Sequence, residues 1–117
     1  MAHRAGRLAQ QFKQEISAII ARELQDPRVG FATITDVRVS PDLTTARVFV
    51  SVLGSPAQQQ ETVQALNQGA GFVRRLLSAR IRLRRHPELT FVYDDSIEKG
   101  QRMMQIIEEI KKELPDE

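Results

Sequence analysis

The chain has no cysteine, which rules out a disulfide framework and a thiolate metal site and agrees with a reducing cytosol. No apolar run approaches the roughly 20 residues that a bilayer-spanning helix needs. Nothing reads as the apolar core of a signal peptide. A cytoplasmic protein that avoids membranes is therefore expected. The two histidines, His3 and His86, have no second ligand at useful spacing, so neither a metal nor a cofactor is expected. No internal repeat and no low-complexity linker divides the sequence. The most telling absence is local. Between Gly71 and His86 there is no acidic residue, while Arg74, Arg75, Arg80, Arg82, Arg84 and Arg85 all fall there.

Through those arginines runs an apolar stripe, Phe72, Val73, Leu76, Leu77 and Ile81, at helical spacing. Such a segment docks on a core and projects its cations outward, unlike a free basic tail. A helix lying on a membrane surface would carry a wider, more aromatic apolar face and more lysine. Guanidinium forks stay charged at any cellular pH and grip phosphate oxygens bidentately, so nucleic acid is the expected partner.

Composition is that of one soluble globular domain: 117 residues, 41% hydrophobic and 27% charged. The net charge is only +2, because Glu108, Glu109, Glu113, Asp116 and Glu117 near the C-terminus mask a basic body. The first fourteen residues contain Arg4, Arg7 and Lys13 and no acid. They are not read as a transit peptide, since the apolar stripe continues unbroken past Glu15 and Glu23.

Leu8, Phe12, Ile16, Ile19, Ile20 and Leu24 recur at intervals of three and four, which predicts an amphipathic helix from about Arg4 to Gln25, ended by Asp26-Pro27. Phe31 to Val39 and Arg47 to Leu53 read as strands joined by the turn Ser40-Pro41-Asp42-Leu43. A glutamine-rich helix is expected from about Ala57 to Gln68, with Val63 and Leu66 facing in. Gly69-Ala70-Gly71 then interrupts a pattern that otherwise stays helical to about Arg82, so two helices meeting at a kink are predicted. Leu89 to Tyr93 is a third strand. Asp94-Asp95-Ser96 offers cap side chains to a last helix through Ile97, Met104, Ile107, Ile110 and Leu114, expected to pack on the domain before a frayed Pro115-Asp116-Glu117 end. Gly100 inside that helix suggests close packing or a start later than Ser96. Of Met103 and Met104, one is expected in the core and one on the surface. Residues 1–117 thus read as one domain, with 97–117 a helical extension.

The order helix, strand, strand, helix, kink, helix, strand resembles a KH type II domain, an α+β module. KH domains usually place a GxxG loop between the two middle helices, where bare backbone approaches phosphates. Here the site reads Gly69-Ala70-Gly71. With Asp26-Pro27-Arg28-Val29, Thr33 to Leu43, Ala46 to Ser51, Pro87-Glu88-Leu89-Thr90-Phe91 and Asp94-Asp95-Ser96, the chain resembles the bacterial ribosome-binding factor A family over most of residues 5 to 110. That family writes its kink Ala-x-Gly, and Gly69 stands here in place of the alanine. The resemblance implies an assembly factor that binds the small (30S) ribosomal subunit and its rRNA and assists late maturation. It implies a monomer, in company with ribosomal proteins and other assembly factors, without catalytic activity. It places RNA contact at Gly69, Gly71, Arg74, Arg75, Arg80, Arg82, Arg84 and Arg85, with Arg4, Arg7 and Lys13 of the first helix as additions.

Two other classes fit parts of the sequence. A sequence-specific nucleic-acid regulator would use the same basic face. A metal-dependent phosphodiesterase would use Asp94 and Asp95, although helix capping accounts for both. Phe31, Phe49, Phe91 and Tyr93 are candidates for base stacking, but no RNP pattern accompanies them and core packing is the expectation.

Overall fold

The computed structural model describes residues 3–24, 26–29 and 32–114. Gln25, Phe31 and the Pro115-Asp116-Glu117 end lie outside the described residues. In chain order the elements are α1 (His3–Arg22), β1 (Ala32–Val39), β2 (Thr45–Val52), α2 (Pro56–Gln68), α3 (Ala70–Arg80), β3 (Glu88–Tyr93) and α4 (Ser96–Glu113). No described helix is long and apolar enough to cross a membrane.

The strands form one sheet in the order β1-β2-β3, with β1 antiparallel and β3 parallel to β2. Parallel pairing demands a crossover connection, and α2 with α3 supplies it. Alternation along β2 sends Ala46, Val48, Val50 and Val52 into the core and leaves Arg47, Phe49 and Ser51 on the other side. The core forms where that buried face meets Leu8, Phe12, Ile16 and Ile19 of α1, Leu66 of α2, and Val73 and Leu77 of α3. Helices therefore cover one sheet face only. Leu89 and Phe91 of β3 complete the core, so Phe91 is a packing residue while Phe49 lies half-buried on the open face.

Local chemistry explains the joints. Ser55 and Gln58 form a reciprocal capping box at the start of α2, with Pro56 in its first turn. Just before it, Gly54 has φ +145°, a conformation that residues with a side chain rarely adopt, and a Cβ there would press on the Gln58 side chain, so a substitution is strained. Arg28 places its guanidinium on Asp26 at 2.7 and 3.0 Å and on Gln68 Oε1 at 2.9 Å. Thr62 Oγ1 donates to the Arg28 carbonyl at 2.8 Å. The chain leaving α1 is thereby locked to α2. Asn67 uses its side-chain amide as a one-residue strand: Nδ2 donates to the Phe91 carbonyl at 2.9 Å and Oδ1 accepts from the Phe91 N–H at 2.8 Å. That pairing occupies part of the free edge of β3 and ties the end of α2 to the sheet.

Several expectations need correction. α1 and α3 stop at Arg22 and Arg80, short of Gln25 and Arg82, while α2 begins one residue early at Pro56. Phe72 is exposed rather than part of the buried stripe. The largest departure is α4, which has no buried residue. Ile97, Met103, Met104, Ile107, Ile110 and Leu114 are all exposed, and nothing lies within 4 Å of a Cβ built on Gly100. The helix stands off the body, and the radius of gyration is 17.8 Å against about 13 Å for a compact 100-residue domain.

Two outcomes follow from these joints. Asn67→Ala orphans both backbone groups of Phe91 and should lower unfolding free energy by about 1 to 2 kcal/mol in urea titration. The bond to Arg28 lowers the Asp26 pKa from 3.8 to about 2. A carboxyl depressed in the folded state contributes stability that is complete above its unfolded value and lost as pH falls through the folded one. Melting temperature should therefore drop between about pH 4 and about pH 2, and Asp26→Asn should flatten that drop.

Candidate nucleic-acid interface

α3 runs antiparallel to α1. At one end Gly69 lies against Leu24, whose Cδ1 would sit 3.1 Å from a Cβ on that glycine. At the other, Arg80 Nη1 meets Glu15 Oε2 at 3.2 Å. The same run carries the first turns of α1 past Arg80 toward the loop that holds Arg82, Arg84 and Arg85. At about 100° per residue, Arg4 lies about 20° around α1 from Glu15, whereas Arg7 lies about 80° from it and farther from the core. Lys13 falls on the opposite flank with Ser17 and Ile20, which line a groove against β1. Arg4 therefore shares the flank of α1 that carries Glu15, and Lys13 does not.

The six arginines of residues 71–86 do different work. Arg74 is half-buried, and its Nη2 donates to the His86 carbonyl at 2.5 Å, tying α3 to the loop that leads into β3. Arg80 is held by Glu15. Arg75 lies over the exposed Phe72 ring with its guanidinium carbon 5.6 Å from the centroid. Arg82, Arg84 and Arg85 are exposed, beyond the end of α3, and have no ion pair among the described residues. Four guanidiniums therefore reach solvent unneutralised, on a support of fixed shape.

The residue that fixes the shape is His86, which the sequence offered only as a metal ligand lacking a second donor. Its ring stacks on Phe12 at 6.2 Å with 3° between planes. Its Nε2 lies 2.9 Å from the Ile81 carbonyl, which can only accept, so Nε2 carries the proton. Ile81 and Leu83 are half-buried and packed on the core, while the arginines alternating with them point away. The Arg-Arg-His-Pro run in the sequence held no sign of this, because the partners Phe12 and Arg74 are distant along the chain.

The kink lies at the other end of α3. Gly69 has φ −90° and ψ 3°, outside the left-handed region, and its N–H bonds back to Ala65 and Leu66 as a cap of α2. No side chain caps α3. Gly71 is exposed, with nothing within 4 Å of a built Cβ, so neither packing nor backbone angle demands glycine there. Beside it a cleft of about 280 Å³ opens between α3 and β3, lined by Ala70, Gly71, Arg74, Glu88, Leu89 and Thr90.

No cluster of three or more metal-ligating side chains occurs among the described residues. Asp94 accepts from Thr35 Oγ1 at 2.6 Å and from the Ser96 N–H at 2.9 Å, and the Thr35 bond leads those that lower its pKa. Asp95 meets Lys99 at 3.3 Å and makes no side-chain cap bond. Both carboxylates are thus engaged at the root of α4.

A three-stranded sheet covered on one face by helices, two of them meeting at a short glycine-bearing kink, is the KH type II class of nucleic-acid-binding fold. The profile of the family described as Ribosome-binding factor A matches residues 4–107. Ribosome-binding factor A of Desulfitobacterium hafniense is 50% identical over 111 residues, covering 95% of this chain and 89% of the relative. A crystal structure of ribosome-binding factor A from Thermus thermophilus superposes with TM-score 0.68 at 28% identity, over 76% of this chain and 94% of that one. A Thermotoga maritima homologue solved by NMR gives TM-score 0.70 at 34% identity, over 79% and 88%. The Thermus thermophilus factor fitted into a cryo-EM map of its 30S complex gives 0.63 at 28% identity, over 74% and 91%. The chain belongs to the ribosome-binding factor A family.

The division of labour among the arginines is measurable. Arg74→Gln should lose about 1 to 2 kcal/mol of unfolding free energy, because it removes a charge-assisted bond from a half-buried carbonyl. Arg82→Gln and Arg84→Gln should each stay within about 0.5 kcal/mol of the parent in the same denaturation assay.

Proposed function

We propose that this protein binds the small ribosomal subunit through its rRNA and assists a late step of subunit maturation. The observation that carries this reading is the anchored arginine end, on a fold shared with a relative fitted into a 30S complex. Arg75, Arg82, Arg84 and Arg85 neutralise phosphates, joined by Arg4 and Arg7 from α1. Gly71 and the uncapped start of α3 give backbone access to a phosphate at the kink. Arg74 and Arg80 act chiefly by holding that surface in place. The protein works in the cytoplasm as a binding factor rather than an enzyme: it favours one conformation of the subunit by binding it more tightly than another. Residues 3–93 form the RNA-binding body, and α4 extends from it.

The test is co-sedimentation with small subunits, and with an rRNA fragment, across a range of salt. Replacing Arg75, Arg82 and Arg84 with glutamine should leave the melt unchanged and shallow the log-affinity slope against log salt by up to about three, one unit for each phosphate no longer neutralised. Gly71→Leu should weaken binding without lowering the melting temperature, since the site is open. Unchanged slopes in the folded triple variant would remove these arginines from the interface. Affinity that follows a short sequence motif rather than the ribosomal particle would replace the assembly reading with that of a regulator.

A further inference from the structure

Among the described phenylalanines and the tyrosine, Phe12 and Phe91 are buried, Phe49 and Tyr93 are half-buried, and Phe72 alone is exposed, with 36% of its surface accessible. Helix geometry keeps it out of the core. At about 100° per residue, Phe72 lies about 100° around α3 from Val73 and about 140° from Leu77, the two side chains that this helix buries completely. The ring therefore stands toward solvent in the first turn of α3, directly after the kink.

A single exposed ring is ordinary on a soluble protein, and here the neighbours decide what it fits. Gly71 precedes it with nothing within 4 Å of a built Cβ, so the backbone leading into the ring is bare and the space beside it open. Arg75, one turn on, holds its guanidinium carbon 5.6 Å from the ring centroid and has no ion pair among the described residues. The other exposed residues of α3 are Gly71, Arg75, Ser78, Ala79 and Arg80. None is large and apolar, so no hydrophobic patch surrounds the ring for a protein partner to cover. A lone ring with an unneutralised guanidinium on it suits a nucleobase instead, because every base offers a π-face and the cation beside it can take the phosphate.

Building on the RNA reading above, we infer that Phe72 stacks an unpaired base, so that the RNA met at the kink is single-stranded. In an A-form duplex the bases are stacked on one another and closed to a ring approaching from outside, and only a strand with splayed bases can use Phe72. Stacking tolerates any base, so the ring selects unpaired over paired RNA rather than one sequence over another. Arg75 serves the same strand twice, with its charge near a phosphate and its plane against the ring. A side chain at position 71 would stand where the base enters, which gives that glycine a use that neither packing nor backbone angle supplies. From Phe72 to Arg80 the helix advances about 12 Å, so one short RNA segment can reach both the ring and the arginine loop.

The test measures binding of the full chain to small subunits, to an unstructured ribo-oligonucleotide and to an RNA duplex of the same length. Phe72→Leu keeps apolar bulk and loses the ring. It should bind the subunit and the unpaired strand about tenfold more weakly and the duplex as the parent does, at an unchanged salt slope because no charge is lost. Its melting temperature should match the parent, and Phe72→Tyr should bind as the parent does. The chain has no tryptophan, so Phe72→Trp carries a single indole, whose fluorescence the unpaired strand should quench and the duplex should not. Unchanged binding by Phe72→Leu, alongside a shallower slope in the Arg75, Arg82 and Arg84 triple variant, overturns stacking and leaves the RNA reading standing. No effect from either set of changes overturns both. Equal losses on strand and duplex, or a lowered melting temperature with an unquenched Phe72→Trp, make Phe72 a general or packing contact and overturn stacking. Weaker subunit binding with the oligonucleotide held as before assigns the ring to a ribosomal protein and overturns it too.

Discussion

The burial of one face of α1, centred on Phe12, is the interaction on which the other features depend. Phe12, Ile16 and Ile19 are fully covered, and burying each such side chain contributes about 1.5 to 3 kcal/mol. That burial sets the line along which α3 lies, and so decides where the arginine loop emerges. The Phe12 ring also supplies the surface on which His86 stacks. His86 in turn pins Ile81 through Nε2 and Arg74 through its carbonyl. A loop carrying three unpaired arginines would otherwise splay under its own repulsion. Here core packing offsets that repulsion.

Charge is distributed to match. Glu15 is matched to Arg80 at the edge of the cluster and Glu88 lines the cleft with Arg74, while neither pairs with the exposed arginines. The carboxylates with lowered pKa, Asp26, Asp42 and Asp94, are held by Arg28, by Ser40 and Thr44, and by Thr35, in joints of the fold. Polar groups therefore fall into two sets. Those with partners build the frame. Those without, chiefly Arg75, Arg82, Arg84 and Arg85, are available to phosphate.

The open sheet face and α4 mark how small the body is. With helices on one side only, Arg38 and Arg47 sit directly opposite each other across the β1 and β2 pairing, an unfavourable like-charge contact that Asp36 on Arg38 relieves. By the end of β3 the core is complete, and α4 contributes no residue to it. The helix keeps its outward direction because polar bonds at its root hold it there.

Periodicity settled which residues form helices and strands, because the spacing of Leu8, Phe12, Ile16 and Ile19, and the alternation of Ala46, Val48, Val50 and Val52, encode a buried face before any partner is known. The acid-free arginine run was equally plain, and so were the phrases that carry the family resemblance. The sequence could not show which arginines are tied up in structure, since Arg74 and Arg80 differ from Arg82 and Arg84 only through contacts with His86 and Glu15. Nor could it tell an apolar stripe that packs from one that does not. The spacing in α4 is as regular as that in α1, and periodicity reports a face without reporting what covers it. Gly71 gave the same lesson on a smaller scale, for a glycine demanded by packing and one left open to solvent read alike. Which face meets which, and which cations remain unpaired, depends on contacts between residues far apart in the chain, and the tertiary structure alone decided them.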